Sequence, residues 1–137
     1  MYINPHNPHA HTGDSVCNIT LHNNGLRGAL SSAMLQLPHL TTLRLSKNPG
    51  LTGQLPSFAG VPQLRELSLG NCSLTGGLHP SLAQLGSLSV MWLFNNRLTG
   101  PLQPGFGPAQ RHLKFLDLSG NQYVTCCVCS TSGSSSW

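Results

Sequence analysis

The length, composition and charge of the chain limit what it can be. Its 137 residues leave room for one domain, and charged residues make up only 7% of them, against about 25% in an average soluble protein. The formal net charge is +4, but the seven Lys and Arg are scattered without a basic run, so we expect no nucleic-acid partner.

Residues 1–15, "MYINPHNPHAHTGDS", form a leader rich in His, Pro and Asn, which we expect to be flexible and solvated. His6, His9 and His11 have a spacing that could hold a metal, but in such a leader we predict no metal site. The leader lacks the apolar region of about 7 to 15 residues that defines a signal peptide. No segment approaches the about 18 apolar residues that span a bilayer. As written, the sequence predicts neither export nor a membrane span, and it leaves the compartment open.

Five rows of similar sequence follow the leader and occupy residues 16–121. Their starts are 24, 24, 24 and 25 residues apart, at these positions: Val16, Leu40, Leu64, Leu88 and Leu113. Four of the rows carry the pattern L-x-G-x-L after a core of the form L-x-x-L-x-L-x-x-N, in which Val, Ile, Met or Cys replaces a consensus residue in three of the four. Random richness in Leu would not hold that register, so the pattern predicts a repeat protein.

Each row predicts a short β-strand with one buried face, because apolar and polar residues alternate around its L-x-L pair. One repeat cannot cover its own apolar face, so the rows must stack on one another. After each strand the chain turns, and the buried backbone of that turn needs hydrogen-bond partners. We predict that a ladder of side chains supplies them: Asn24, Asn48, Cys72, Asn96 and Asn121.

The segments between the rows should close the core from the opposite, convex side. Their apolar residues are predicted to point inward. These residues are Met34, Leu37, Phe58, Val61, Leu82 and Leu85.

These motifs resemble those of plant-type leucine-rich repeat proteins. Residues 51–56, "LTGQLP", and 98–102, "LTGPL", closely match the L-T-G-x-I-P segment of that family. The resemblance implies an α/β fold, a right-handed solenoid with a short parallel β-sheet on its concave face. It also implies a second short strand near the L-T-G segment and 3₁₀ or irregular turns on the convex face. In this family Cys is accepted at the Asn position, so Cys72 is expected to be structural.

Function in such a scaffold belongs to strand residues that point away from the core. If Met91 and Leu93 are buried, their neighbours in "VMWLF" must face outward, because side chains alternate across a strand. Exposed aromatic residues with a charged rim are typical of partner-binding sites. We therefore predict a protein- or peptide-binding site on the concave face: Val90, Trp92, Phe94, Phe115, Arg44, Arg65, Glu66, Lys114 and Asp117.

Several functions remain open at this stage. The favoured one is recognition of a protein or peptide, as in a receptor-like protein at the plasma membrane or outside the cell. The alternatives are an intracellular cytoskeletal or ciliary scaffold, and an inhibitor of a secreted wall-degrading enzyme. The aromatic patch would also be explained if the chain's own tail or a neighbouring module covered it. We expect no cofactor and no enzyme activity, because the three carboxylates form no recognisable catalytic arrangement.

Residues 122–137 form an irregular tail rich in Cys and Ser. Cys126, Cys127 and Cys129 could ligate zinc, but no second pair stands at finger spacing. Two segments, "NIT" at residues 18–20 and "NCS" at 71–73, match the N-glycosylation pattern, which we treat as chance without export. The last row ends in a strand edge that another repeat or another copy of the chain could pair with.

Overall fold

The computed structural model describes residues 15–102, 106 and 110–122. The predictions for the leader histidines (His6, His9 and His11) and for the tail cysteines (Cys126, Cys127 and Cys129) lie outside the described residues.

Two parallel β-sheets run along the described part of the chain, and each row contributes strands in the same order. The first sheet has the order β1-β3-β5-β7-β9, with these bounds: β1 (Asn18–Thr20), β3 (Thr42–Arg44), β5 (Glu66–Ser68), β7 (Val90–Trp92) and β9 (Phe115–Asp117). The second sheet has the order β2-β4-β6-β8, with these bounds: β2 (Arg27–Ala29), β4 (Gly50–Gln54), β6 (Ser73–Gly76) and β8 (Arg97–Leu98). Two 3₁₀ helices, Ser32–Leu35 and Pro80–Gln84, lie between rows.

The strand pairing of the first sheet follows the alignment of the rows in the sequence. Thr42 lies opposite Glu66, which lies opposite Val90, which in turn lies opposite Phe115. These partners are 24, 24 and 25 residues apart, as the row starts are. The predicted solenoid, its concave parallel sheet and its second strand near the L-T-G segment are confirmed.

The apolar residues of the L-x-L pairs form the core, because each strand turns them towards the inside of the solenoid. In the three inner rows these six side chains are at most 5% exposed: Leu43, Leu45, Leu67, Leu69, Met91 and Leu93. At the two ends burial fails, and Leu21 and Leu116 are 39% and 41% exposed. A row is buried only where rows on both sides cover it, which is the stacking requirement of a repeat protein.

The convex side follows the prediction with one exception. Phe58, Val61, Leu82 and Leu85 are buried, and Leu37 is partly buried against the core.

The inward position predicted for Met34 is wrong: its side chain is 61% exposed, and Leu35 is buried instead. Four residues separate Leu30 from Leu35, whereas three separate Leu78 from Leu82 in the third row. The convex turn of the first row therefore contains one more residue before a side chain points towards the core again.

Buried amide side chains bind the turns of consecutive rows together. The Asn48 Oδ1 atom accepts hydrogen bonds from the backbone N–H groups of Asn24 and Leu26, both at 3.0 Å. The Asn48 Nδ2 atom donates to the carbonyls of Leu21 and Leu45, at 2.9 and 2.6 Å. One fully buried amide thus satisfies backbone groups in two rows at once.

Asn96 and Asn121 repeat this arrangement two and three rows farther on. Asn96 accepts from the Leu74 N–H and donates to the carbonyls of Leu69 and Leu93. Asn121 accepts from the Leu98 N–H and donates to the Leu93 carbonyl. Asn24, in the first row, donates only to the carbonyl of His22, its own near neighbour.

Cys72 occupies the ladder position of the third row, where the turn it supports is different. In that turn Pro49 has no N–H group, and the Leu51 N–H bonds to the Asn48 carbonyl at 2.9 Å. Fewer backbone N–H groups of this turn therefore need a hydrogen-bond acceptor at position 72. The thiol donates weakly to the Leu45 and Gly70 carbonyls, at 3.7 and 3.8 Å.

The residue before each ladder position adopts the left-handed backbone conformation. All five have φ between 52° and 66°: Asn23, Lys47, Asn71, Asn95 and Gly120. Asn and Gly are the residues that adopt this conformation most readily, and Lys47 is the exception in the column. This column was not predicted from the sequence, although the recurrence of Asn is its signal.

The two kinds of ladder residue should differ in their contribution to stability. We expect Asn96→Ala to lower the free energy of unfolding by about 3 kcal/mol, because it leaves several buried backbone groups unpaired. We expect Cys72→Ala to lower it by about 1 kcal/mol, because the thiol makes only weak hydrogen bonds. Urea unfolding of both variants measures the difference, and equal losses would contradict this account of the ladder.

Candidate partner-binding site on the concave sheet

The first sheet presents columns of outward side chains, with one residue from each row in each column. Strand pairing places Trp92 opposite Ser68 of β5 on one side and opposite Asp117 of β9 on the other. In the neighbouring column Val90 lies opposite Phe115. Met91 and Leu93 are fully buried, so the apolar run "VMWLF" is divided between the core and the concave surface.

Two aromatic residues of the predicted site stand at the surface and line a pocket. Trp92 is 39% exposed and Phe115 is 59% exposed. The pocket has a volume of about 280 Å³, and it is lined by these two residues and by Lys114, Leu116 and Asp117. Leu116 was not predicted as a site residue. It occupies the core column of the last described row, where nothing stacks beyond it in the described residues, and so it reaches the pocket wall.

The other two apolar residues of the predicted patch are only partly accessible. Val90 and Phe94 are both half-buried. A Cβ atom on Gly70 would lie 2.5 Å from the Phe94 Cε1 atom, so the phenyl ring fills the space that a side chain at position 70 would need. The Gly70 N–H donates to the Ser46 Oγ atom of the preceding row, at 2.9 Å. Phe94 therefore packs against the sheet, while Trp92 and Phe115 remain available.

Arg44 and Glu66, both predicted at the charged rim, form a bidentate ion pair. The Arg44 Nε and Nη2 atoms donate to the two carboxylate oxygens of Glu66, at 2.6 and 2.7 Å. The hydrogen bonds and charge of Glu66 raise the pKa of the Arg44 guanidinium above its ordinary value. The pair spans β3 and β5, and its charges largely neutralise each other.

The remaining charged residues of the predicted site lie on both sides of the aromatic pair. Arg65 and Lys114 are exposed, and the Asp117 carboxylate is partly buried. The Asp117 Oδ1 atom accepts hydrogen bonds from the Ser119 N–H and from its Oγ atom, at 3.0 and 2.6 Å. Ser119 was not singled out in the sequence, although its position two residues after an Asp is typical of such a turn.

Two cysteines lie in the described part of the chain, and neither is in a disulfide. Cys17 is exposed, while Cys72 is buried. Burial raises the pKa of the Cys72 thiol above its ordinary value, and the Asn48 backbone offsets this only in part. The thiol therefore stays protonated at neutral pH, where a nucleophilic cysteine would be a thiolate.

In residues 15–102, 106 and 110–122, no group of three His, Cys, Asp or Glu residues could hold a metal ion. No helix in these ranges is long and apolar enough to cross a membrane.

Comparisons with known proteins agree with the repeat architecture. Two family models, both described as leucine-rich repeats, match residues 63–85 and residues 36–54 and 109–125. The chain is built of leucine-rich repeats. A search of curated proteins finds no match.

Several solved plant structures are similar to this leucine-rich repeat chain. One is a chain of the BIR3–SERK2 complex from Arabidopsis thaliana, with a TM-score of 0.69 and 28% identity over 75% of this chain and 55% of that one. Another is Pollen Receptor Kinase 3, with a TM-score of 0.68 and 32% identity over 80% of this chain and 52% of that one.

A third similar structure contains a bound partner. It is the ectodomain of the membrane receptor kinase GASSHO1/SCHENGEN3 from Arabidopsis thaliana, in complex with CASPARIAN STRIP INTEGRITY FACTOR 2. Its TM-score is 0.67, with 31% identity over 71% of this chain and 12% of that one. The leucine-rich repeat chain spans about half the length of the first and second similar structures, and much less of the third.

Gly70 provides a direct test of how Phe94 is held. We expect Gly70→Ala to lower the free energy of unfolding by about 1 to 3 kcal/mol, because the new methyl group must displace the Phe94 ring. Gly86→Ala is the matched control, since a Cβ atom there meets nothing within 4 Å. Urea unfolding compares the two variants. A neutral Gly70→Ala would show that the ring is not packed on this glycine.

The two described thiols should react at different rates. At pH 8 we expect iodoacetamide to modify Cys17 at least about tenfold faster than Cys72, because only the thiolate reacts and Cys72 is buried with a raised pKa. Mass spectrometry of the digested protein gives both rates, and in urea they should converge. Comparable rates in the folded protein would contradict the burial of Cys72.

The raised pKa of the Cys72 thiol also predicts that the free energy of unfolding falls as the pH rises above about 8.5.

Proposed function

We propose that this chain is a protein- or peptide-binding module that recognises its partner through the concave sheet, as part of a receptor-like recognition protein. The observation that carries the proposal is the pocket beside Trp92 and Phe115, two aromatic side chains exposed on the face of a rigid sheet. Large aromatic residues dominate the energetics of protein interfaces. A binding role without catalysis accords with the scarcity of carboxylates in the sequence.

The similar structures support the receptor form of this proposal over the alternatives. Two of the three are named as receptor kinases, and one is the ectodomain of a membrane receptor kinase. Two are complexes, one with a named partner factor. We carry over from them recognition of a protein or peptide and a place outside the cell or at the plasma membrane. A cytoskeletal scaffold and an inhibitor of a wall-degrading enzyme have no comparable support.

The end of the solenoid offers a second surface for contact. In the described sheet β9 is the last strand, and Leu116 is 41% exposed there. We propose that a further repeat or another copy of the chain pairs with this edge, since an open strand edge presents unpaired backbone groups. Such pairing would cover the Leu116 wall of the pocket, so it is an alternative to ligand binding there.

Selected peptides can test the concave site. Peptides of twelve random residues, displayed on phage, would be selected on the immobilised chain, and their affinities measured by biolayer interferometry. We expect Trp92→Ala and Phe115→Ala each to weaken binding at least about tenfold, because each removes a large exposed aromatic contact.

Met34→Ala is the matched control, because Met34 is 61% exposed and lies on the convex side. We expect it to leave the affinities unchanged. If the peptides bind Trp92→Ala and Phe115→Ala as tightly as the wild type, the concave site is wrong. Failure to recover any peptide would count against recognition of peptides.

A further inference from the structure

The pocket is lined by one positive and one negative side chain, Lys114 and Asp117, and the two form no ion pair. Lys114 lines the pocket and is exposed. Among the described residues the one ion pair is that of Arg44 with Glu66, so the Lys114 ammonium group has no ion-pair partner there.

The other charged group of the pocket, the Asp117 carboxylate, is hydrogen-bonded within its own turn. The Asp117 Oδ1 atom accepts two hydrogen bonds from Ser119. These bonds hold the carboxylate against the turn that follows β9. Lys114, by contrast, makes no side-chain hydrogen bond or ion pair within the described residues, and its ammonium group is the more available of the two charges.

A second cation lies on the same rim. Arg65 and Lys114 belong to one column, with Ser89 between them, as the backbone bonds from Ser89 to Arg65 (2.8 Å) and from Lys114 to Ser89 (2.9 Å) show. Strands in a sheet are about 4.8 Å apart, so the two backbones are separated by about 10 Å. Glu66, the carboxylate next to Arg65 in the chain, is engaged by Arg44 and does not neutralise this rim.

The size of the pocket limits what can enter it. Its volume of about 280 Å³ is below the range of about 300 to 1,000 Å³ that is usual for small-molecule pockets. The walls formed by Trp92, Phe115 and Leu116 are apolar. This space suits one large apolar side chain of a longer ligand better than an entire small molecule.

From these observations we infer that the pocket binds an acidic peptide segment. An aromatic or large aliphatic side chain enters between Trp92 and Phe115, and a neighbouring carboxylate pairs with Lys114. Arg65 attracts further negative charge along the same rim. The inference rests on the proposed function and names the chemistry of its partner.

A focused peptide library tests this chemistry. Its central position would be Phe, Leu, Ser or Gly, and the flanking positions would be Glu, Lys, Ser or Gly, all in equal shares. On the wild type we expect Phe and Leu to be enriched at the centre, and Glu to exceed Lys about fivefold beside it. In about 1 M salt, where charges are screened beyond about 3 Å, the preference for Glu should disappear.

Charge reversal provides the decisive comparison. Lys114→Glu should reverse the preference from Glu to Lys while Phe and Leu stay enriched at the centre. Arg27→Glu is the matched control, because it makes the same change of charge at an exposed residue of the second sheet, and it should preserve the preference for Glu.

The outcomes separate the two proposals. Equal amounts of Glu and Lys with Phe and Leu still enriched at the centre would overturn the acidic segment and leave the proposed function standing. A preference for Glu that survives Lys114→Glu would also overturn it. If Phe and Leu are not enriched at the centre on the wild type, or are enriched equally on Trp92→Ala, the proposed function itself would be overturned.

Discussion

The ladder of buried amides is the interaction on which the rest of this structure depends. Asn48, Asn96 and Asn121 each bond backbone groups of their own row and of the row before it. A buried turn with unpaired backbone groups would cost several kcal/mol in every row. The same amides therefore allow the chain to turn inside the solenoid and hold each row in register with the next.

The concave surface is a consequence of that register. Once the rows stack with partners 24 or 25 residues apart, residues distant in the chain become neighbours in a column. Trp92 and Phe115 then share one pocket, although 22 residues lie between them in the sequence. Stacking also explains the weak places of the fold, since Leu21 and Leu116 lie in end rows and remain exposed. A rigid frame with variable outward columns suits recognition, because outward residues can change without disturbing the core.

Much of the fold was predictable because the same apolar pattern recurs in five rows of the sequence. The strand positions, the burial of Met91 and Leu93 and the ladder positions all follow from one alignment of the rows. Met34 is a residue for which the alignment of the rows gave the wrong position. The turn between Leu30 and Leu35 contains one residue more than its counterpart in the third row, and a regular period cannot express such a local insertion.

The sequence by itself determined the architecture and the outward columns, because hydrophobic periodicity is a local property that any row displays. Only the tertiary structure decided how the outward residues divide. Phe94 packs over Gly70, and the Arg44 guanidinium neutralises Glu66 across two strands. Trp92, Phe115 and Lys114 remain open around a pocket whose wall includes Leu116. These outcomes depend on contacts between rows and on the solenoid's end, and no single row of the sequence contains them.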